Sequence, residues 1–295
     1  MKNNSTSRID VFGNIIEENE LLRDKFIEPP FSVLDTKTGS WQNRVRAWKR
    51  IGIKSDVGRD VKVINNSFAN EKYKRTAKDS MPEVSIFDPA LCEVLYHWFC
   101  PPGGSILDPF AGGSVRGIVA AYLGYKYTGI DIRPEQIESN IAQAKEIVPN
   151  DAPNWLIGDS NIVLGDLWLE GRQFDFLFSC PPYADLEVYS DLPGDISNMS
   201  YKDFLVFYKS IIKKAVSLLK PGAICAWVIG EVRGKDGSYY GFVPDTIKAF
   251  REAGAHFYNE AILLNAIGTA MLRVGNTFKS GKLVKVHQNI LIFKK

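Results

Sequence analysis

From residue 83 to the end, short apolar runs of strand length alternate with segments of helical period. That alternation limits the folds available more than any other feature. "SILDPFAGGS" is an apolar strand that breaks into a glycine turn, and "SVRGIVAAYLG" is a helix closing at Gly124. "YKYTGIDI" is a strand, followed by the helix "RPEQIESNIAQAKEIV", which Pro134 opens. "NWLIGD", "FDFLFSC" and "AICAWVIGE" continue the strands, and "YKDFLVFYKSIIKKAVSLLK" and "VPDTIKAFREAG" the helices. "DPALCEVLYHWFCP" precedes the first strand as an apolar helix, with Asp88 at the N-cap and Pro89 at the first helical position. "HFYNEAILLN" and "HQNILIFKK" read as two late strands with no helix between them. Strand–helix alternation of this kind builds a doubly wound, mostly parallel sheet, and the last two strands form an antiparallel hairpin at its end.

Before residue 81 the pattern is different. "IIEENELLRDKFI" reads as one possible helix in a loose arm, and "PPFSVLD" as a short extended piece. "WQNRVRAWKRIGI" places Trp41, Val45, Trp48 and Ile51 at helical spacing, with Arg44, Arg46, Lys49 and Arg50 between them. The tryptophans read as packing residues, while the basic side chains can face a polyanion. Residues 54–80 are polar and irregular. The chain divides into an N-terminal basic extension, 1–80, and a main domain, 81–295.

Charge is unevenly placed. The net charge is +2, but residues 41–80 carry +7 and residues 266–295 carry +6, leaving −11 for the rest. Two basic segments on an acidic body point to a polyanion touched by both; ordinary solvated loops are the plainer explanation of either run alone. Four cysteines without a CxxC pair, and three histidines, argue against a zinc site or a disulfide framework. No apolar run approaches the ~20 residues that span a bilayer. The polar start "MKNNSTSRIDVFGNIIEENE" lacks the apolar core of a signal peptide, so a cytoplasmic protein is expected.

In doubly wound sheets, ligands bind beyond the carboxyl ends of the strands. Here those ends carry Asp108, Asp131, Asp159 and the run Cys180-Pro181-Pro182-Tyr183. The turn "DPFAGGS" has neither the spaced GxGxxG of a dinucleotide site nor the Lys-Ser/Thr end of a phosphate loop. An acid in it repels a pyrophosphate and suits a cationic ligand with an amino-acid end. Asp131 is placed to accept hydrogen bonds from ribose hydroxyls, and Asp159 from an adenine amino group. Together they describe a pocket for S-adenosylmethionine. Helix capping is the competing explanation of Asp108 and Asp159.

The strand "FLFSC" runs straight into two prolines, which lack the N–H needed to pair in a sheet. "ILDPFAGGS", "GIDI" and "SCPPY", in that order, resemble the DNA methyltransferases that modify the exocyclic amino groups of adenine or cytosine. Over residues 84–295, this resemblance implies a seven-stranded sheet of the class I methyltransferase type, S-adenosylmethionine as cofactor and double-stranded DNA as partner, with no membrane and no metal. It assigns Cys180, Pro181, Pro182 and Tyr183 to catalysis. To the cofactor it assigns Phe87, Asp88, Asp108, Phe110, Gly112, Asp131, Ile132 and Asp159. The basic residues Arg44, Arg46, Lys49, Arg50, Arg273, Lys279, Lys282 and Lys285 are the expected nucleic-acid contacts, the last four in a loop between the two late strands that projects over the active-site face.

Two departures from the family pattern stand out. Ser114 replaces a further glycine in the turn, where Gly113 is expected to keep a hinge. Cys180 stands where the family has Asp, Asn or Ser, and a thiol is a weak acceptor. A nucleophilic role for Cys180 would need a thiolate-stabilising neighbour, and no His or Lys is near it in sequence. An RNA amino-methyltransferase and a non-catalytic nucleic-acid-binding relative are the alternative readings. The acidic loop "ADLEVYSDLPGDISNMS" reads as a lid capping the next helix through Ser200.

Overall fold

The structure, a computed structural model, describes residues 26–54, 87–183, 190, 192, 194–234, 236–265 and 270–295, and the backbone of 8–9 and 15–16. Arg8–Ile9 (β1) and Ile15–Ile16 (β2) pair with each other as a small antiparallel ribbon. The helix expected over 15–27 is thus replaced by strand at its first two residues, and 17–25 lie outside the described residues.

The main sheet follows in chain order as Val33–Asp35 (β3), Ser105–Asp108 (β4), Lys126–Asp131 (β5), Asn154–Ile157 (β6), Phe174–Ser179 (β7), Leu219–Ile229 (β8), His256–Leu264 (β9) and His287–Lys294 (β10). Its spatial order is β3-β9-β10-β8-β7-β4-β5-β6. β10 runs antiparallel to both β8 and β9, and all other neighbours are parallel. Seven of these strands have the order of a class I methyltransferase sheet. The eighth was not expected: β3 adds to the edge of β9 through Val33–Ile262 and Leu34–Leu263.

Helices cover both faces. Gly39–Arg50 (α1), Pro89–Phe99 (α2), Val115–Tyr122 (α3) and Pro134–Ile147 (α4) lie on one, and Ser160–Leu169 (α5), Tyr201–Ser217 (α6) and Phe242–Glu252 (α7) on the other. The two-residue period of the strands sorts side chains between these faces. Phe176, Phe178, Ala226, Val228, Ile290 and Ile292 pack toward α1–α4, while Leu177, Cys225, Trp227, Leu291 and Phe293 pack toward α5–α7. Each large apolar side chain removed from water contributes about 1.5–3 kcal/mol.

One sequence expectation is corrected. Ala270–Lys279 (α8) is a helix between β9 and β10, where none was expected. The segment "AMLRVGNTFK" does have helical spacing, but Gly275 and its basic residues read as loop. In the segment 26–54 the tryptophans pack as read from their spacing. Trp41 and Trp48 are 1% and 5% exposed in the same core as Tyr96 and Phe178, and the Trp41 indole donates to Asp88 at 2.7 Å. The proposed boundary near residue 80 falls among residues not described. No helix among the described residues is long and apolar enough to cross a membrane.

Candidate active site

Because β6, β5, β4 and β7 are neighbours in that order, the topology lines up Asp159, Asp131, Asp108 and Cys180 along one sheet edge. At about 4.8 Å per strand the row is about 14 Å long. Strand order reverses between β4 and β7, which opens a crevice there.

The turn after β4 is built on a buried polar cluster. Asp108 is fully buried. Its Oδ1 accepts from the Phe110 amide at 3.1 Å and the Ser179 hydroxyl at 2.5 Å. Its Oδ2 accepts from Arg116 Nε at 2.5 Å and the Tyr127 hydroxyl at 2.7 Å. Arg116, on α3, also donates through Nη2 to the carbonyls of Phe110 at 2.5 Å and Ala111 at 2.9 Å. Burial alone would lower the Arg116 pKa, but the Asp108 carboxylate outweighs it and holds the guanidinium above its ordinary value. With four protein donors on its two oxygens, Asp108 has a structural role. These bonds shape the turn. Arg116 was missed, and its one sequence signal was a lone arginine in the apolar helix "VRGIVAAY".

The turn's positive φ falls on Gly112, at +52°, and not on Gly113. Ser114 has helical φ and ψ of −68° and −16° and donates to Gln143 Oε1 at 2.8 Å, so a side chain in place of the family's glycine is accommodated. The Ala111 amide donates to the Ile130 carbonyl at 2.8 Å, tying the turn to β5.

Asp131 ends β5 half-buried. Its Oδ2 accepts from the Gly112 amide and its Oδ1 from the Arg133 amide, each at 2.9 Å. It stands at the strand-end position where a carboxylate can meet ribose hydroxyls. Asp159 caps α5 by accepting from the Asn161 amide at 2.8 Å through Oδ1. A Cβ on Gly194 would lie 3.0 Å from Asp159 Oδ2 and 3.5 Å from Ile132 Cδ1. An acceptor and an apolar wall thus flank one spot, approached by a glycine whose φ is +92°. These features fit the ribose and adenine of S-adenosylmethionine.

Asp88 caps α2 by accepting from the Ala90 amide at 2.8 Å through Oδ1, and its Oδ2 takes the Trp41 indole. Burial pushes its carboxyl above the usual range. These two bonds anchor α1 against α2. Phe87 sits edge-on to Phe178, with ring centroids 5.6 Å apart, and lies 4.5 Å below the Arg116 guanidinium. Phe110 packs edge-on to Trp227 at 6.0 Å.

Pairing of β7 with β8 stops at Ser179, so Cys180-Pro181-Pro182-Tyr183 leaves the sheet as expected. Cys180 is half-buried and Pro181 buried. The Tyr183 hydroxyl accepts from Gln288 Nε2, on β10, at 2.9 Å, and its ring stands edge-on to Phe242 at 6.2 Å. Gln288 was also missed in the sequence, because β10 reaches β7's end only through the fold. The loop that follows ends as expected: Ser200 caps α6, its Oγ accepting from the Asp203 amide at 3.3 Å. Asp185, Glu187 and Asp191 lie outside the described residues.

The basic candidates divide. Arg44 donates to Glu93 at 2.9 Å and to the Ile27 carbonyl at 3.0 Å. It ties α1 to α2 and is partly exposed. Arg46, Lys49 and Arg50 are exposed on α1, and Arg273 and Lys279 on α8. Lys282 and Lys285 are half-buried, and Lys285 reaches the Tyr183 side of the crevice.

Residues 26–144 match the family model N6_N4_Mtase, described as DNA methylase. The matched segment runs from the α1–α2 anchor through the Asp108 turn to Asp131 and α4. The chain is also similar to the type II methyltransferase M.TthHB8I of Thermus thermophilus, 26% identical over 144 residues, which are 44% of this chain and 30% of that relative. The aligned part thus spans less than a third of the relative's length. Among solved structures, similar ones include TrmN from Thermus thermophilus (TM-score 0.47, 15% identity, 71% of this chain and 49% of that one). Another is magnesium protoporphyrin IX methyltransferase from Synechocystis (TM-score 0.45, 11% identity, 83% and 99%).

Proposed function

We propose that this protein transfers a methyl group from S-adenosylmethionine to the exocyclic amino group of adenine (N6) or cytosine (N4) in double-stranded DNA. The observation that carries this reading is the strand-end run Cys180-Pro181-Pro182-Tyr183 beside the Asp108 turn, its aromatic ring fixed by Gln288 and Phe242. When bound, the cofactor supplies an electrophilic methyl group on a sulfonium.

The chain's residues do the rest. Asp131 holds the ribose hydroxyls, Asp159 and Ile132 hold the adenine, and the Gly112 turn approaches the amino-acid end. A target base turned out of the duplex lies against the Tyr183 ring, a stacking contact of about 1–3 kcal/mol. The Pro181 carbonyl and the Cys180 sulfur accept hydrogen bonds from its amino group. Two such acceptors draw the nitrogen out of conjugation and free its lone pair for attack. A thiol accepts weakly, so the carbonyl bears more of this work. Proline rigidity sets the acceptors in place before the base arrives. Calorimetry with S-adenosylmethionine, followed by label transfer to unmethylated DNA, tests the reading; an absence of both binding and transfer refutes it.

A further inference from the structure

Lys285 stands just before β10, half-buried. A methyl group placed on Gly230, at the end of β8, would lie 3.4 Å from Lys285 Nζ and 3.7 Å from Tyr183 Cε1. The ammonium and the edge of the Tyr183 ring thus border the same small space. Among the described residues, the charged and titratable groups that face it are Glu231, after β8; His287, two residues on; and Tyr183 itself. Glu231 accepts from the amides of Phe242 at 3.1 Å and Val243 at 2.9 Å, so its carboxylate is engaged at the N-terminus of α7. Among the described residues, no carboxylate oxygen lies within 4.0 Å of Lys285 Nζ. Burial lowers the Lys285 pKa, and the field of Glu231 only partly opposes this.

A partly desolvated cation without a close counter-ion is unfavourable in the free protein. Its position makes sense where a ligand brings the anion. When a base is turned out, it swings about its own backbone, and its phosphate stays at the mouth of the pocket. We propose that Lys285 binds the phosphate of the nucleotide whose base rests on Tyr183. The proposal rests on the DNA-methylating reading above and gives one lysine a defined place in it: Lys285 acts on the extruded nucleotide, distinct from the exposed basic residues of α1 and α8.

The test measures methyl transfer to unmethylated plasmid DNA across pH for the wild type, Lys285→Arg and Lys285→Met. Lys285→Met is expected to lose about tenfold or more in kcat/KM, the scale of one charged hydrogen bond. Lys285→Arg is expected to stay active and to carry its activity to higher pH, since a guanidinium does not deprotonate there. Wild-type kinetics in Lys285→Met, or an alkaline limb that does not move in Lys285→Arg, overturns the proposal. A second readout needs no turnover: acetic anhydride labelling of the wild type, read by mass spectrometry. Plasmid DNA with S-adenosylhomocysteine is expected to slow acetylation of Lys285, and equal labelling with and without DNA overturns the proposal. Protection of Lys285 without any transfer would sink the methylating reading and leave the phosphate contact standing.

Discussion

Arg116 Nε lies 2.5 Å from Asp108 Oδ2, with the two side chains 6% and 0% exposed. The pair stands at the root of the turn on which the cofactor would rest, and neither member is free to hold it. Removing one partner of a buried ion pair leaves an uncompensated charge, at a cost of about 3–5 kcal/mol. Arg116→Met and Asp108→Ala are each expected to lose that much stability in urea unfolding. A loss of less than about 1 kcal/mol in both would show that water reaches the pair.

Asp131 ends β5 at the position expected for a ribose ligand. Asp131→Ala is expected to weaken S-adenosylmethionine binding by about 1.5–3 kcal/mol, the range of hydrogen bonds to a charged group. Calorimetry reads this directly, and unchanged affinity would remove Asp131 from the ribose site.

Asp88 gives a pH signature. Burial raises its carboxyl pKa above the ordinary 3.8, and the Trp41 indole and the Ala90 amide oppose the rise. A carboxyl raised in the folded state contributes stability that is full below the unfolded value and is lost as pH climbs through the folded value. Trp41→Phe removes a donor and is expected to raise Asp88 further. The fall in stability between about pH 4 and about pH 7 should then be steeper than in the wild type, by about 1–3 kcal/mol. Parallel urea-midpoint profiles for the two proteins would show that Trp41 does not act on Asp88.

DNA binding is expected to weaken steeply as salt rises, through release of counterions. Charge reversal at Arg46 and Arg50, both exposed on α1, should flatten the plot of log affinity against log salt. Reversal at Arg44 should instead destabilise the fold, because Arg44 joins Glu93 and the Ile27 carbonyl. A salt-independent affinity would make these residues ordinary solvated surface.

Much of this architecture is legible in the sequence because strand and helix leave local marks. The two-residue period of "AICAWVI" and "NILIF", the proline that opens α4 and the Asp88-Pro89 cap are each readable within a few residues. What could not be read is non-local. The alliance of Asp108 with Arg116, Tyr127 and Ser179 joins β4, α3, β5 and β7, and Asp108 looks the same in sequence whether it binds a ligand or a guanidinium. The pairing of β3 with β9 joins residues far apart in the chain. Arg44 looked available because Glu93 meets it only once α1 and α2 pack. Helix α8 was masked by Gly275 and its basic residues, which outweighed the helical spacing of Met271, Leu272, Val274 and Phe278, all exposed.

The most direct test of the account is the chemical identity of the methylated product. Unmethylated DNA is incubated with the protein and labelled S-adenosylmethionine, digested to nucleosides and analysed by mass spectrometry, alongside Tyr183→Ala and Cys180→Ser. The account predicts label in N6-methyladenine or N4-methylcytosine, transfer abolished in Tyr183→Ala with cofactor affinity nearly intact, and activity kept or raised in Cys180→Ser because a hydroxyl accepts better than a thiol. Label in 5-methylcytosine, with both Cys180→Ser and Cys180→Ala inactive and a covalent adduct trapped on a fluorinated base, would contradict it and make Cys180 a nucleophile.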